Sequence, residues 1–192
     1  CEAAASKQRR AAQTAMFLIL NALTRLIAPI LAFTSEEIWS YLPHTQEEST
    51  ESVLFNDMPK PFDLSISDAF RTKWTMITNV RESVQKALEV KRADKVIGSS
   101  LEANVVLYPQ TQELREQLLA IAAELPSLLI VSGVSIASEG DGEQRFEESS
   151  LSIDVTPAAG EKCERCWMYS DAVGQNTDHP TLCARCAEVV SN

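Results

Sequence analysis

Apolar positions along the first stretch, SKQRRAAQTAMFLILNALTRLIAPILAF, recur mostly at threes and fours. Phe17, Leu20, Leu23, Ile27, Ile30 and Leu31 therefore predict a long helix. The unbroken run Phe17, Leu18, Ile19, Leu20 predicts that this helix is buried on more than one side. Pro29 should kink or interrupt it near its end. In TSEEIWSYL, Thr34 with Glu37 three residues later reads as a capping box. Ile38, Trp39 and Leu42 give that second helix an apolar face, and Pro43 stops it. A polar connector follows, about 43–65, rich in Glu, Ser and Thr. His44 within it has no evident partner. A third helix is expected over 67–93, with Phe70, Trp74, Ile77, Val84 and Leu88 as its buried stripe and Gly98 as its breaker. Trp39 and Trp74, on apolar stripes, read as core. Lys86, Lys91, Arg92 and Lys95 crowd the C-terminal end of the third helix, where the dipole favours cations.

The period then changes. VIGSSLEANVVLYP contains a strand around Val105 and Leu107 that ends at Pro109. TQELREQLLAIAAEL reads as one short amphipathic helix. LLIVSGVSIAS and SLSIDVTPA read as two strands separated by a charged turn around EGDGEQ. The fold class is α+β: a helical portion over 1–95, a small α/β subdomain over 96–156, and a tail over 157–192.

The chain has 192 residues and a formal net charge of −10. That charge speaks against a protein that coats nucleic acid by bulk electrostatics, but leaves room for a local RNA contact. No apolar run approaches the roughly 20 residues of a membrane-spanning helix. The N-terminal stretch has no apolar segment of the secretory type, so the sequence predicts a cytoplasmic protein with no membrane partner.

Four of the five cysteines form two matched pairs, Cys163 with Cys166 and Cys183 with Cys186. The spacing C-x2-C-x16-C-x2-C is a zinc spacing. Each pair turns two thiolates toward one point, and two pairs complete a tetrahedral shell. A closed four-sulfur shell leaves no position for water, so one structural Zn2+ is expected and no catalysis by it. The alternatives are two disulfides, which need an oxidising compartment; a redox dithiol; and an iron–sulfur cluster, less suited to this spacing. His179 reads as a loop residue, since the cysteines already fill the shell. The tail has little apolar content, so metal binding should supply much of its folding free energy. Trp167, directly after Cys166, could cover the metal and dock the tail on the α/β subdomain. It could instead stack on an exposed base, with Lys162, Arg165 and Arg185 near enough to meet phosphates.

These residues resemble a known family. AQTAMFLILNALTRLIAPILAFTSEEIW is similar to the anticodon-binding helical bundle of the class I aminoacyl-tRNA synthetases for isoleucine, valine and leucine. KALEVKRADKVIGSSLEANVVLY looks like the next stretch of the isoleucine enzymes. KCERCWMYSDAVGQNTDHPTLCARC resembles the zinc-binding C-terminal tail of the bacterial isoleucine enzymes. The cysteine spacing is shared with the finger of formamidopyrimidine-type DNA glycosylases, but such an enzyme would not place FTSEEIW upstream.

The resemblance implies a piece of an isoleucine–tRNA ligase. The parent would use ATP and be monomeric. This piece would hold no catalytic residue, bind no ATP and be inactive alone. Its partners would be the anticodon stem-loop of the isoleucine tRNA and the remainder of the same chain. Trp167, Arg165, Arg185, Arg92 and Lys95 are the candidate tRNA-binding residues. The alternative is a free-standing zinc-binding module that docks a protein partner.

Overall fold

A computed structural model describes residues 2–62, 64–138, 144–146 (backbone course only) and 150–191. The chain divides into two compact units, Cys1–Ser65 and Ile66–Asn192. Among the described residues no helix is long and apolar enough to cross a membrane.

In the first unit, α1 spans Lys7–Ile27 and is capped by Ser6, whose hydroxyl accepts from the Arg9 N–H. Pro29 has no N–H to continue the ladder, and the chain turns through 28–31 into α2, Ala32–Tyr41. The capping box expected at Thr34 and Glu37 does not form. Leu31 is the N-cap, without a side-chain bond, and Thr34 lies inside the helix. Long-range pairing explains the earlier start. Glu36, one turn in, accepts from the Ser52 hydroxyl and the Val53 N–H, tying α2 to a 3-10 turn at Val53–Phe55. Leu42, extended before Pro43, ends the helix as expected.

The burial expected of α1 is not found. Its buried positions are Asn21 and Thr24, followed by Ala28 at the C-cap. Ile19 is 65% exposed, and Leu18, Leu20 and Leu23 are also exposed. Only one narrow stripe of α1 meets α2 and the 3-10 turn, and an apolar run is buried only where a neighbour covers it. The core of this unit is Ala28, Trp39 and Val53, with Leu42 against it. Trp39 is core, as predicted, and His44 has a partner after all: its ring lies 4.6 Å from that of Trp39.

The connector is pinned by one carboxylate. Glu48 accepts from the Asn21 side-chain amide at 2.9 Å and the Thr45 N–H at 2.8 Å, with Arg25 at 3.8 Å. Burial pushes the Glu48 carboxyl up, but these N–H donors and the Arg25 charge outweigh it, so its pKa lies below the usual 4.5. A depressed carboxylate contributes stability that is fully present above the unfolded pKa and lost as pH falls through the folded one. Glu48→Gln should therefore cost about 1 kcal/mol at pH 7, the scale of a charge-assisted bond lost from a partly screened site. The deficit should shrink below pH 4, as urea melts at the two pH values will show.

In the second unit, α3 spans Asp68–Ala93 and is capped by Ser67. Its buried stripe is Ile77, Val80, Val84, Ala87 and Leu88, packed on strand β4 and helix α5 described below. Phe70 and Trp74 do not belong to it. Trp74 is 43% exposed, because the first two turns of α3 extend past that stripe, and its ring meets Phe70 at 5.9 Å. Gly98 is not what ends the helix. Asp94 is the C-cap, and Lys95 turns left-handed at φ 59°. The Lys95 N–H reaches Arg92 O and the Val96 N–H reaches Lys91 O, the double bond of a Schellman ending.

A four-stranded sheet has the order β2-β1-β4-β3. β1 is Ala103–Pro109, β2 Gly133–Ile136, β3 Gln144–Phe146 and β4 Leu151–Pro157. β1 pairs in parallel with β2 and antiparallel with β4. The parallel link needs a crossover, supplied by α4 (Gln112–Leu119) and α5 (Leu125–Leu129). One helix was expected over this stretch. The chain turns between the two, and Pro126 restarts it in the first turn of α5, where a missing N–H costs nothing. The expected strand LLIVSGVSIAS is correspondingly shorter, because Leu128 and Leu129 belong to the region of α5. The charged turn EGDGEQ lies outside the described residues up to position 143, and Gln144 opens β3, a strand not foreseen.

Alternation in β1 sends Ala103, Val105 and Leu107 inward, where they meet Leu151, Ile153 and Val155 of β4, the α3 stripe and Leu118, Leu125 and Leu129. Beyond β4 the chain forms a small hairpin, β5 (Glu161–Lys162) with β6 (Tyr169–Ser170), and a final helix α6 (Ala184–Ser191). Gly160 makes the entry to this hairpin at φ 82°. A Cβ there would lie 2.3 Å from the Ser170 carbonyl carbon, so the close approach needs glycine.

Candidate metal centre and its rim

The hairpin loop 163–168 carries the first cysteine pair. Two backbone bonds close it: Cys163 N–H to Met168 O at 2.9 Å and Trp167 N–H to Cys163 O at 2.8 Å. The second pair straddles the start of α6. Cys183 precedes the helix, its carbonyl accepts from the Ala187 N–H, and Cys186 lies in the first turn. The positive end of α6 thus faces sulfur. Glu164 N–H to Thr181 O and Cys183 N–H to Cys163 Sγ, the latter at 3.3 Å, fasten the two halves.

The four sulfurs lie within 4.8 Å of one another, and Cys166 Sγ is 3.8 Å from Cys183 Sγ. A disulfide would need about 2.05 Å. Tetrahedral zinc with Zn–S near 2.3 Å puts its sulfurs about 3.8 Å apart. Cys163, Cys183 and Cys186 are buried, and all four cysteines are free thiols. The donor set fits one structural zinc ion. Burial pushes the Cys163 thiol up, but the N–H groups of Cys166, Cys183 and Arg165 outweigh it and bring its pKa down to about 6. Burial and the neighbouring sulfurs push Cys166 up to about 12.

Around this centre the structure assembles three of the five residues the sequence proposed for RNA. Trp167 is 60% exposed and left-handed at φ 63°, a conformation that a bulky residue rarely adopts. Its ring carries the Lys162 ammonium 5.6 Å from the centroid. Arg165 Nη1 donates to Cys186 Sγ at 3.5 Å. Arg185 Nη2 reaches Met168 Sδ at 3.6 Å. Burial works against the Arg185 charge, yet the thiols around it prevail and raise its pKa. Both guanidiniums are thus held against the sulfur cluster. Arg92 and Lys95 belong elsewhere, on the end of α3: Arg92 is ion-paired with Glu89, and Lys95 occupies the Schellman turn.

No sequence signal points to the contact that seats this hairpin. The Tyr169 N–H donates to Ser132 Oγ at 2.7 Å, and the Ser132 hydroxyl donates to Leu101 O. A lone serine between α5 and β2 carries no motif, and the pairing spans 37 residues.

Residues 160–189 match the family described as the zinc finger found in FPG and IleRS. An isoleucine–tRNA ligase from Thermoanaerobacter sp. (strain X514) is 48% identical over 188 residues, 96% of this chain and 20% of the relative. That of Geobacillus kaustophilus is 45% identical over 99% of the chain and 21% of the relative, and that of Bacillus cereus (strain B4264) 42% over 98% and 20%. The chain spans about a fifth of the length of the relatives it matches. Residues 1–107 match the anticodon-binding domain of tRNA ligase, and with that match over more than half its length the chain belongs to this family.

Proposed function

We propose that the chain is the tRNA-binding C-terminal region of an isoleucine–tRNA ligase, and that its zinc tail reads tRNA. The observation that carries this is Trp167: exposed, held left-handed by the metal loop, and flanked by Lys162, Arg165 and Arg185. An aromatic face beside cations suits an unstacked base and its phosphate. Cys163, Cys166, Cys183 and Cys186 hold the zinc, which orders the loop and takes no part in the chemistry. Arg92 and Lys95 add phosphate contacts from the end of α3. Residues 1–95 act as part of the anticodon-binding helices, 96–156 as a small α/β spacer, and 157–192 as the reader.

The parent joins isoleucine to its tRNA using ATP, in the cytoplasm and as a monomer. ATP binding and catalysis belong to the rest of that chain, so these residues alone are inactive. The matches over 96–99% of the chain support this reading over a free-standing protein-docking module.

The test uses the parent chain, intact, cut at Thr156, and as Trp167→Ala. Isoleucine-dependent pyrophosphate exchange should hold in all three. Charging should fall in the truncated form. In Trp167→Ala the KM for tRNA should rise about tenfold, the value of one stacked base. Equal loss of exchange and charging on truncation, or unchanged charging in both variants, would rule the reading out.

A further inference from the structure

We infer that Ser132 is a positioning residue: its hydroxyl seats the zinc hairpin on the sheet and thereby fixes where Trp167 stands. The inference rests on the tRNA-reading role proposed above.

The hairpin has its own apolar cluster, Cys163, Cys183 and Cys186 with Cys166, Val173 and Leu182. The main core ends with Val155 and shares none of these residues. The tail's cluster is thus built mainly of its metal ligands, and no residue is common to it and the sheet core. Polar contacts join the two. One is at the exit of β4, where the Ala158 N–H reaches Glu102 O at 2.7 Å. Gly160 then turns the chain, and across the turn Ser132 receives Tyr169.

Ser132 is well placed for this. It stands on the β2 side of the sheet, and its own N–H is bound to Ala103 O at 3.1 Å. Its hydroxyl proton goes to Leu101 O, which leaves the oxygen lone pairs for the Tyr169 N–H. A groove of about 370 Å³ runs between the two parts, lined by Asn104, Ser132, Pro157 and Tyr169 among others. The Ser132–Tyr169 bond thus lies at the wall of a groove. Tyr169 lies two residues beyond Trp167 on the same hairpin, so freeing Tyr169 lets the indole move with it.

The experiment compares the parent enzyme with Ser132→Ala and Ser132→Thr, alongside Trp167→Ala. Four quantities are read: zinc per chain, pyrophosphate exchange, kcat and KM for tRNA, and hydrogen exchange of the Tyr169 amide. Ser132→Ala should keep its zinc and its exchange activity. Its Tyr169 amide should exchange about tenfold faster, and its KM for tRNA should rise about three- to tenfold with kcat little changed, the range set by one hydrogen bond. Ser132→Thr, which keeps the hydroxyl, should restore both.

Zinc loss in Ser132→Ala would make the residue structural and overturn the inference. So would an unchanged Tyr169 amide, which is read without tRNA. A faster amide with unchanged KM, while Trp167→Ala is impaired, would show that the seat does not govern reading. An unimpaired Trp167→Ala would instead overturn the tRNA role on which the inference rests.

Discussion

Cys163→Ser should strip the metal and unfold the tail while leaving the sheet intact. Cys163 is fully buried at the centre of the tail's small cluster, and the other members are mostly its fellow cysteines. Without metal, little else holds residues 160–191 together. Structural zinc binding in small modules amounts to on the order of 10 kcal/mol, and here that binding is folding free energy. Zinc content should fall from one per chain to near none. Amides of the hairpin should lose protection against exchange, while those of β1 and β4 keep theirs. Acid should mimic the substitution, because protons compete with zinc for the thiolates. The Cys163 thiol, at about 6, is already ionised at neutral pH, whereas Cys166, at about 12, must give up its proton to the metal. Affinity therefore falls as pH falls, most steeply once pH drops through 6. A variant that keeps its zinc, or loses protection in the sheet as well, would contradict this account.

The second large effect belongs to the first unit. Trp39→Ala should cost about 3–5 kcal/mol, the usual range for a buried aromatic. Trp39 is 1% exposed, its indole N–H donates to Ser49 O at 3.0 Å, and its core partners are few. A small core cannot close over the cavity with other large side chains. Trp39→Phe should cost less, since it keeps most of the volume and loses the bond. Denaturant melts give both numbers. A loss under 1 kcal/mol for the alanine variant would show that the unit is held elsewhere.

The cysteine centre could be read from the sequence because its geometry is local: each pair is confined to one tight turn, and a turn is written in four residues. β1 and β4 were legible as strands, and α3 by its apolar period. What failed was whatever depends on a distant partner. The apolar run 17–20 looked buried because period alone cannot say whether a neighbour covers the second face. Thr34 looked like a cap until Glu36 found Ser52 and Val53. Gly98 looked like the stop, but the Schellman bonds put Lys95 in the left-handed position instead. Ser132 was invisible for the same reason, its partners lying 31 and 37 residues away. That a cysteine sulfur engages Arg165 and a methionine engages Arg185 is a fact of three dimensions that no local spacing writes.

The strand that leads into the cysteine hairpin is also the one the sheet waits for. β4 pairs with β1 across 46 residues, as the bond from the Tyr108 hydroxyl to Asp154 marks. On a ribosome, β1 and the helices after it emerge before the strand that completes them. Cys163 follows six residues after β4 ends, so pairing of β4 and metal capture come in quick succession. The last step of making this region is then the arrival of an ion, and a cell short of zinc would accumulate chains with a finished sheet and an unformed cysteine hairpin.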